Sequence, residues 1–251
     1  MRAYSINEMY IPYYICPVIK QILRDENCSI NFYHINKNFY PINTFPKQAY
    51  ILYPNYFGIC YKNVYKLEQK YENLIIDNAH SFFAKPVGLA SFTSLRKFFQ
   101  VKYSINDGAY LYIKKIIGEK FLEAENYEVT SKFDYEQLVK NENRLDSQKN
   151  IMTISKRSGE LINTIDFEYE KKQRIEKFKY FDEIYKSSNE LCIDIDFNED
   201  IPFVYPYLIN DEKIGFELEK QGLQIFRYWH GIPKNFEEYY FYKYLIPIPL
   251  V

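Results

Sequence analysis

Glycine is scarce in this chain, with eight residues among 251. No glycine-rich loop of the kind that cradles phosphate is present. The four cysteines, Cys16, Cys28, Cys60 and Cys192, form no C-x-x-C pair. That leaves a zinc knuckle or a thioredoxin-type redox motif without support, and no metal is expected. No apolar run reaches the roughly 18 residues of a membrane span. The opening MRAYSINEMYIPYYICPVIK has no run of signal-peptide form. An excess of one charge is missing too: 32 Lys+Arg stand against 33 Asp+Glu, a formal net charge of −1. Binders of nucleic acid or anionic membrane usually carry a basic excess, so neither partner is expected. A cytoplasmic protein with reduced thiols follows. Aromatic side chains, by contrast, abound, with 27 Tyr, 20 Phe and one Trp. Each buried ring removes roughly 150–250 Å² from water, which promises a sizeable core. Charged residues at 26% and hydrophobic residues at 47% are ordinary for a folded domain.

Short apolar runs alternate with amphipathic stretches along the first half. Glu8–Tyr14, Ser29–Ile35, Tyr50–Tyr53 and Asn73–Asp77 read as strands, with helices expected over Pro17–Arg24 and Tyr61–Tyr71. Nearly all-apolar strands separated by helices argue for an α/β fold with a mainly parallel sheet covered on both faces. Ligands of such sheets gather at the carboxyl ends of the strands, where Asp77 ends an apolar run. The stretch from Glu123 to Lys149 reads as a solvated connector or a pair of frayed helices. Beyond it, Asp166 is placed to cap a long helix with Ile175, Phe178, Phe181 and Tyr185 as its stripe. Ile201–Ile209 has the prolines of an edge strand. Asp211 opens a helix that Gly222 closes, and LQIFRYW reads as one more strand.

Chemistry concentrates between Asp77 and Ala109, in DNAHSFFAKPVGLASFTSLRKFFQVKYSINDGA. Taken singly, Asp77 is a turn cap, His80 a packed histidine and Arg96-Lys97 a solvated basic pair. Taken together they fit the needs of pyridoxal phosphate. A Schiff-base lysine must be desolvated so that the neutral amine can attack an aldehyde, and Leu95, Phe98 and Phe99 flank Lys97. A carboxylate such as Asp77 keeps the pyridinium nitrogen protonated. His80 could reach the ring oxygen, and the hydroxyl of Ser91 or Ser94 could donate to the phosphate.

These segments resemble the DegT/DnrJ family of sugar aminotransferases, fold-type I enzymes dependent on pyridoxal 5'-phosphate. The resemblance runs in family order through MYIPYYICP, NFYHINKNFYP, ILYPNYFGI, IIDNAHS, SLRKFF, NDGAYLY, ISKRSGELINTIDFEYEKKQRIEKF and VYPYLINDEKIGFELEKQGLQIFRYW. It implies Lys97 as the Schiff-base lysine, Asp77 as the pyridinium partner, His80 near the ring oxygen, and Ser91 or Ser94 at the phosphate. Cys16 falls near the position where the family commonly stacks an aromatic on the ring. The implied substrates are a small-molecule amino donor and a sugar-nucleotide acceptor bearing a keto group, handled by a homodimer. Relatives that dehydrate rather than aminate usually carry His in place of the lysine, so Lys97 favours aminotransfer. The implied division is a large α/β cofactor domain over 1–122, a connector over 123–150 and a small α+β domain over 151–251. The family's first helix and phosphate-holding loop precede the strand matched at MYIPYY, so the chain is expected to be short at both ends. Two other readings stand beside the enzyme: an inactive aminotransferase-like remnant or binding protein, and a carbohydrate-binding module.

Overall fold

The apolar runs of the first half become the strands of one sheet. A computed structural model describes residues 1–115, 118, 120–129, 135–148 and 150–250. Along it follow β1 (Glu8–Pro12), α1 (Pro17–Asp25), β2 (Ser29–Tyr33), β3 (Ile51–Pro54), α2 (Tyr61–Glu68), β4 (Leu74–Asn78), β5 (Ala90–Thr93), α3 (Leu95–Tyr103) and β6 (Leu111–Ile113). The six strands lie in the order β2-β1-β3-β4-β5-β6, all parallel except β6, which runs antiparallel to β5. The order reverses between β1 and β3, the kind of switch point that opens a crevice at the carboxyl ends of a parallel sheet.

Why these runs are apolar on both sides is visible in the packing. Successive side chains of a strand point to opposite faces. Ile51, Tyr53, Leu74 and Ile76 join Val64 and Leu67 of α2 in one cluster. Leu52 and Ile75 join Met9, Ile11 and Leu23 of α1 in another. Pro17 opens α1, where its missing N–H breaks no helical bond.

The remaining elements are β7 (Leu122–Glu123), α4 (Tyr135–Asp146), β8 (Met152–Thr153), α5 (Lys156–Ile162), α6 (Phe167–Tyr185), β9 (Val204–Leu208), α7 (Glu212–Lys220), α8 (Tyr239–Tyr244) and β10 (Leu245–Pro249). β7 and β8 form a short parallel pair, and β9 and β10 a two-stranded antiparallel sheet. Both expected caps are in place. Asp166 accepts from the Tyr169 amide at 3.0 Å, and Asp211 from the Lys213 amide at 2.9 Å. The α2-side cluster continues into this half through Phe178, Val204, Tyr205, Ile246 and Ile248.

One expectation is narrowed and one needs correction. The stretch from Glu123 to Lys149, expected as a solvated connector or a pair of frayed helices, carries the end of β7 and one helix, α4. Buried Asn141 of α4 donates to the Asn106 carbonyl at 2.7 Å, a polar anchor that hydrophobic periodicity does not register. Residues 130–134 and 149 lie outside the described residues. LQIFRYW, in turn, is not a strand. β9 takes its ladder partner from LIPIP at 245–249, while Leu223, Ile225, Tyr228 and Trp229 pack against the core without ladder bonds.

Gly58, with φ at +70°, lets three loops meet. A Cβ there would stand 2.5 Å from the Ile201 carbonyl oxygen and 2.8 Å from that of His80. Gly58→Ala is therefore expected to destabilise the fold by at least about 2 kcal/mol, from the left-handed backbone and the clash together. Denaturant midpoints measure this, and an unchanged midpoint would mean that the three backbones part freely.

Candidate functional site

Parallel strands all end on one side of their sheet. The turns leaving β1, β3, β4 and β5 there carry Tyr13–Cys16, Asn55–Gly58, Asp77–Ser81 and Ser94–Lys97. Buried Asn55 ties two of these turns together. Its amide nitrogen donates to Asn78 Oδ1 at 3.2 Å and Ser81 Oγ at 3.0 Å, and its oxygen accepts from the Cys60 amide at 3.2 Å. Such a satisfied buried network holds loops rigidly.

Asp77 is buried near the end of β4, and its carboxylate accepts from the Ala79 amide at 2.9 Å. Burial lifts the carboxyl from 3.8 to about 6, against the opposing pull of that bond and of the Lys97 charge. Lys97 lies in the first turn of α3. Its Nζ is 3.2 Å from Glu142 Oε1 of α4 and 5.9 Å from the centroid of the Tyr228 ring. Arg96 pairs with the same carboxylate. Burial alone would raise Glu142, but Lys97 and Arg96 outweigh it and hold the carboxyl below its ordinary range. The apolar neighbours of Lys97 in sequence, Leu95, Phe98 and Phe99, pack with Ile105, Ile162 and Ile165.

His80 stands in a wall of rings. It stacks on Phe203 at 4.6 Å, Trp229 at 5.4 Å and Phe57 at 5.7 Å, with Tyr228 edge-on at 4.9 Å. Burial first, and then the charges of Lys97 and Arg96, push its pKa well down, so the imidazole is neutral. Its Nδ1 is buried without a hydrogen-bond partner among the described residues. Phe57 itself has φ at +55°, an uncommon conformation for a bulky residue. Cys16 is half-buried. Burial raises its thiol, and the charges of Lys97 and Asp77 both reach it, so the turn after β1 closes on the same place.

The structure thus brings Asp77, His80 and Lys97 together. The serines divide. Asp77 pairs in register with Phe92, and Ser91 with Ile76, so Ser91 points to the opposite face of the sheet from Asp77. Its buried Oγ has no hydrogen-bond partner among the described residues. Ser94 occupies the N-cap position of α3 and makes no side-chain capping bond. Sequence reasoning missed Glu142, Phe57, Phe203, Tyr228 and Trp229. Their spacing along the chain carries no signal of a shared site. Arg96 lies within the motif, where sequence alone gives it no role beyond a solvated pair with Lys97. Among the described residues, no cluster of acidic, His or Cys side chains could hold a metal, and no helix is long and apolar enough to cross a membrane.

A scan against family models and a search of curated proteins each give no match. Solved structures, however, share the architecture over nearly the whole chain. One is a DegT DnrJ EryC1 StrS aminotransferase from Brucella abortus, 12% identical with a TM-score of 0.58, covering 97% of this chain and 74% of that one. A second is the E. coli GDP-4-keto-6-deoxy-D-mannose-3-dehydratase with bound hydrated PLP, 12% identical with a TM-score of 0.64 over 98% and 76%. A third is Helicobacter pylori PseC, an aminotransferase involved in the biosynthesis of pseudoaminic acid, 16% identical with a TM-score of 0.56 over 97% and 74%. The chain therefore has the fold-type I architecture of PLP-dependent transferases, a mostly parallel sheet flanked by helices with a small antiparallel sheet beside it. At the level of fold, the resemblance read from the sequence is borne out.

The raised Asp77 pKa has a measurable consequence. A carboxyl raised on folding stabilises the native state fully below its unfolded value and loses that contribution as pH climbs through the folded value. With a shift from 3.8 to about 6 worth about 1.4 kcal/mol per unit, Asp77→Asn is expected to stabilise the ligand-free protein at neutral pH by up to about 3 kcal/mol. The gain should vanish below about pH 4. Urea midpoints across that range test it; a difference independent of pH would contradict the assignment.

Proposed function

We propose that the chain is a pyridoxal 5'-phosphate-dependent sugar-modifying enzyme of the aminotransferase type, acting on a keto-sugar nucleotide with a small-molecule amino donor. The observation that carries this reading is the juxtaposition of Lys97, a buried Asp77 that among the described residues has no hydrogen-bonded cation, and the Nδ1 of His80, orphaned among the same residues. An unpartnered buried nitrogen costs about 1–3 kcal/mol, and a buried carboxylate more, so both gain from a ligand that presents an oxygen and a protonated ring nitrogen. The residues present fit the cofactor in this respect. Solved relatives of the same fold that act on sugar substrates support the sugar class.

Bound there, pyridoxal phosphate supplies an electron sink for the bond broken at the amine-bearing carbon. Asp77 would hold a ring nitrogen protonated through charge pairing, which also offsets the cost of its own burial. Neutral His80 would meet the ring oxygen through Nδ1. Ser94, free of any bond to the helix it precedes, and Arg96 would hold phosphate, with α3 contributing its positive end. Lys97 Nζ must shed a proton before it attacks a carbonyl, and once released it would carry a proton on and off the reacting carbon. Phe57, Phe203, Tyr228 and Trp229 would exclude water from that side. The proposal includes a homodimer, a large portion over 1–122 and a small one over 151–251.

One observation favours a second reading, a protein that keeps the fold without the chemistry: Glu142 pairs with both Lys97 and Arg96 and so already occupies the amine. Borohydride trapping separates the two. Wild-type protein at saturating pyridoxal phosphate is expected to yield a reduced adduct on the Lys97 peptide and a visible-edge absorbance, both absent in Lys97→Ala. Wild type without an adduct rejects the enzyme reading and leaves the second.

A further inference from the structure

Arg174, in the middle of α6, is among the largest fully buried side chains of the protein, with 1% of its surface exposed. Burial lowers its pKa only to about 10, so it stays a cation at neutral pH. Two hydrogen bonds leave it for backbone that belongs to the site. Nη1 donates to the Phe203 carbonyl at 3.1 Å and Nη2 to the Phe98 carbonyl at 3.2 Å. Its guanidinium lies 4.6 Å from the centroid of the Phe98 ring. Nε has no partner. One turn earlier on α6, buried Glu170 accepts from Tyr103 Oη at 2.6 Å and pairs with Lys102. The two ends of α3 are thus gripped by two charged residues of one helix.

A buried charge is a poor way to gain stability, because a well-packed apolar side chain of similar volume usually serves as well or better. What a guanidinium offers instead is a planar fork that fixes two acceptors relative to each other. Here one acceptor belongs to the residue that follows Lys97. The other belongs to Phe203, whose ring is the nearest one stacked on His80 and whose amide donates to the Phe57 carbonyl at 2.8 Å. We infer that Arg174 is a positioning residue, setting the first turn of α3 that carries Lys97 and the ring wall of His80 at a fixed separation. Its bearing on cofactor capture rests on the reading of Lys97 proposed above; its hold on the ring wall does not.

Trp229, the single tryptophan of the chain, stacks on His80 and reports that wall directly. In the full chain without cofactor, Arg174→Met is expected to fold, to shift Trp229 emission to the red and to increase its quenching by acrylamide. Arg174→Lys, which keeps a cation but loses the fork, should show a smaller change of the same sign. Phe203→Leu should reproduce the emission change. Adding Arg174→Met to it should then change little more, as for two residues acting in series. With pyridoxal phosphate, borohydride trapping on Lys97 should slow at least about tenfold in Arg174→Met, since small misplacements of reacting groups carry such losses. Folded Arg174→Met or Arg174→Lys with native emission and quenching would overturn the inference. If wild type captures no cofactor, the functional reading fails while the fluorescence still decides the positioning role. A lower unfolding midpoint with unchanged native emission would reduce Arg174 to a structural residue, and so would also overturn it.

Discussion

Parallel pairing of β4 between β3 and β5 is the constraint on which the rest depends. Parallel strands need long crossovers, so the chain must return over the sheet through α1 and α2 and cover both of its faces. With both faces covered, every residue of β3 and β4 is buried, and the strands tolerate polar groups only where they end. Asp77 and Asn78 sit at that end, with His80 just beyond. The polar chemistry of the site is thus gathered by the same geometry that excludes it from the strands. Asn55 then ties the turn after β3 to the turn after β4, so the two cannot drift apart independently.

Electrostatics inside this frame are unevenly satisfied. Glu142 has two cations, Lys97 and Arg96, whereas buried Asp77 has one backbone amide and a more distant lysine charge. Burial dominates Asp77 and raises it; the paired cations dominate Glu142 and lower it. His80 is driven neutral by the same burial and the same cations. The result is one end of the sheet where, among the described residues, a carboxylate meets only a backbone amide, an imidazole nitrogen has no hydrogen-bond partner and an amine is already engaged by an internal acid. The first two features invite a ligand. The third sets a competition that the ligand must win.

The architecture by itself does not choose a reaction. It is shared with aminotransferases and with a sugar-nucleotide dehydratase at 12–16% identity, and one fold commonly hosts different chemistries on grafted sites. The choice lies in side chains such as Lys97 and in what surrounds it. That surround is partly supplied by α4 and by the segment around Trp229, both far from Lys97 in the chain.

Much of the sheet was legible because burial on both faces writes itself as consecutive apolar residues. The caps at Asp166 and Asp211 were legible because a cap bonds to amides two or three residues away. Asp77, His80 and Lys97 could be grouped from one stretch of sequence because a strand, a turn and the next strand–helix unit deliver them to one end of the sheet. LQIFRYW misled for the opposite reason: its alternation is that of a strand, but β9 found its partner in LIPIP, and pairing is settled between segments. The face of Ser91 relative to Asp77 depends likewise on the register between β4 and β5. By itself, then, the sequence determined what near neighbours control: apolar runs, helix ends and the order of the chemical groups. Only the tertiary structure decided which acid meets Lys97, which rings enclose His80 and which buried cation holds both in place. Those partners are chosen across space by packing and charge, and separation along the chain carries no record of that choice.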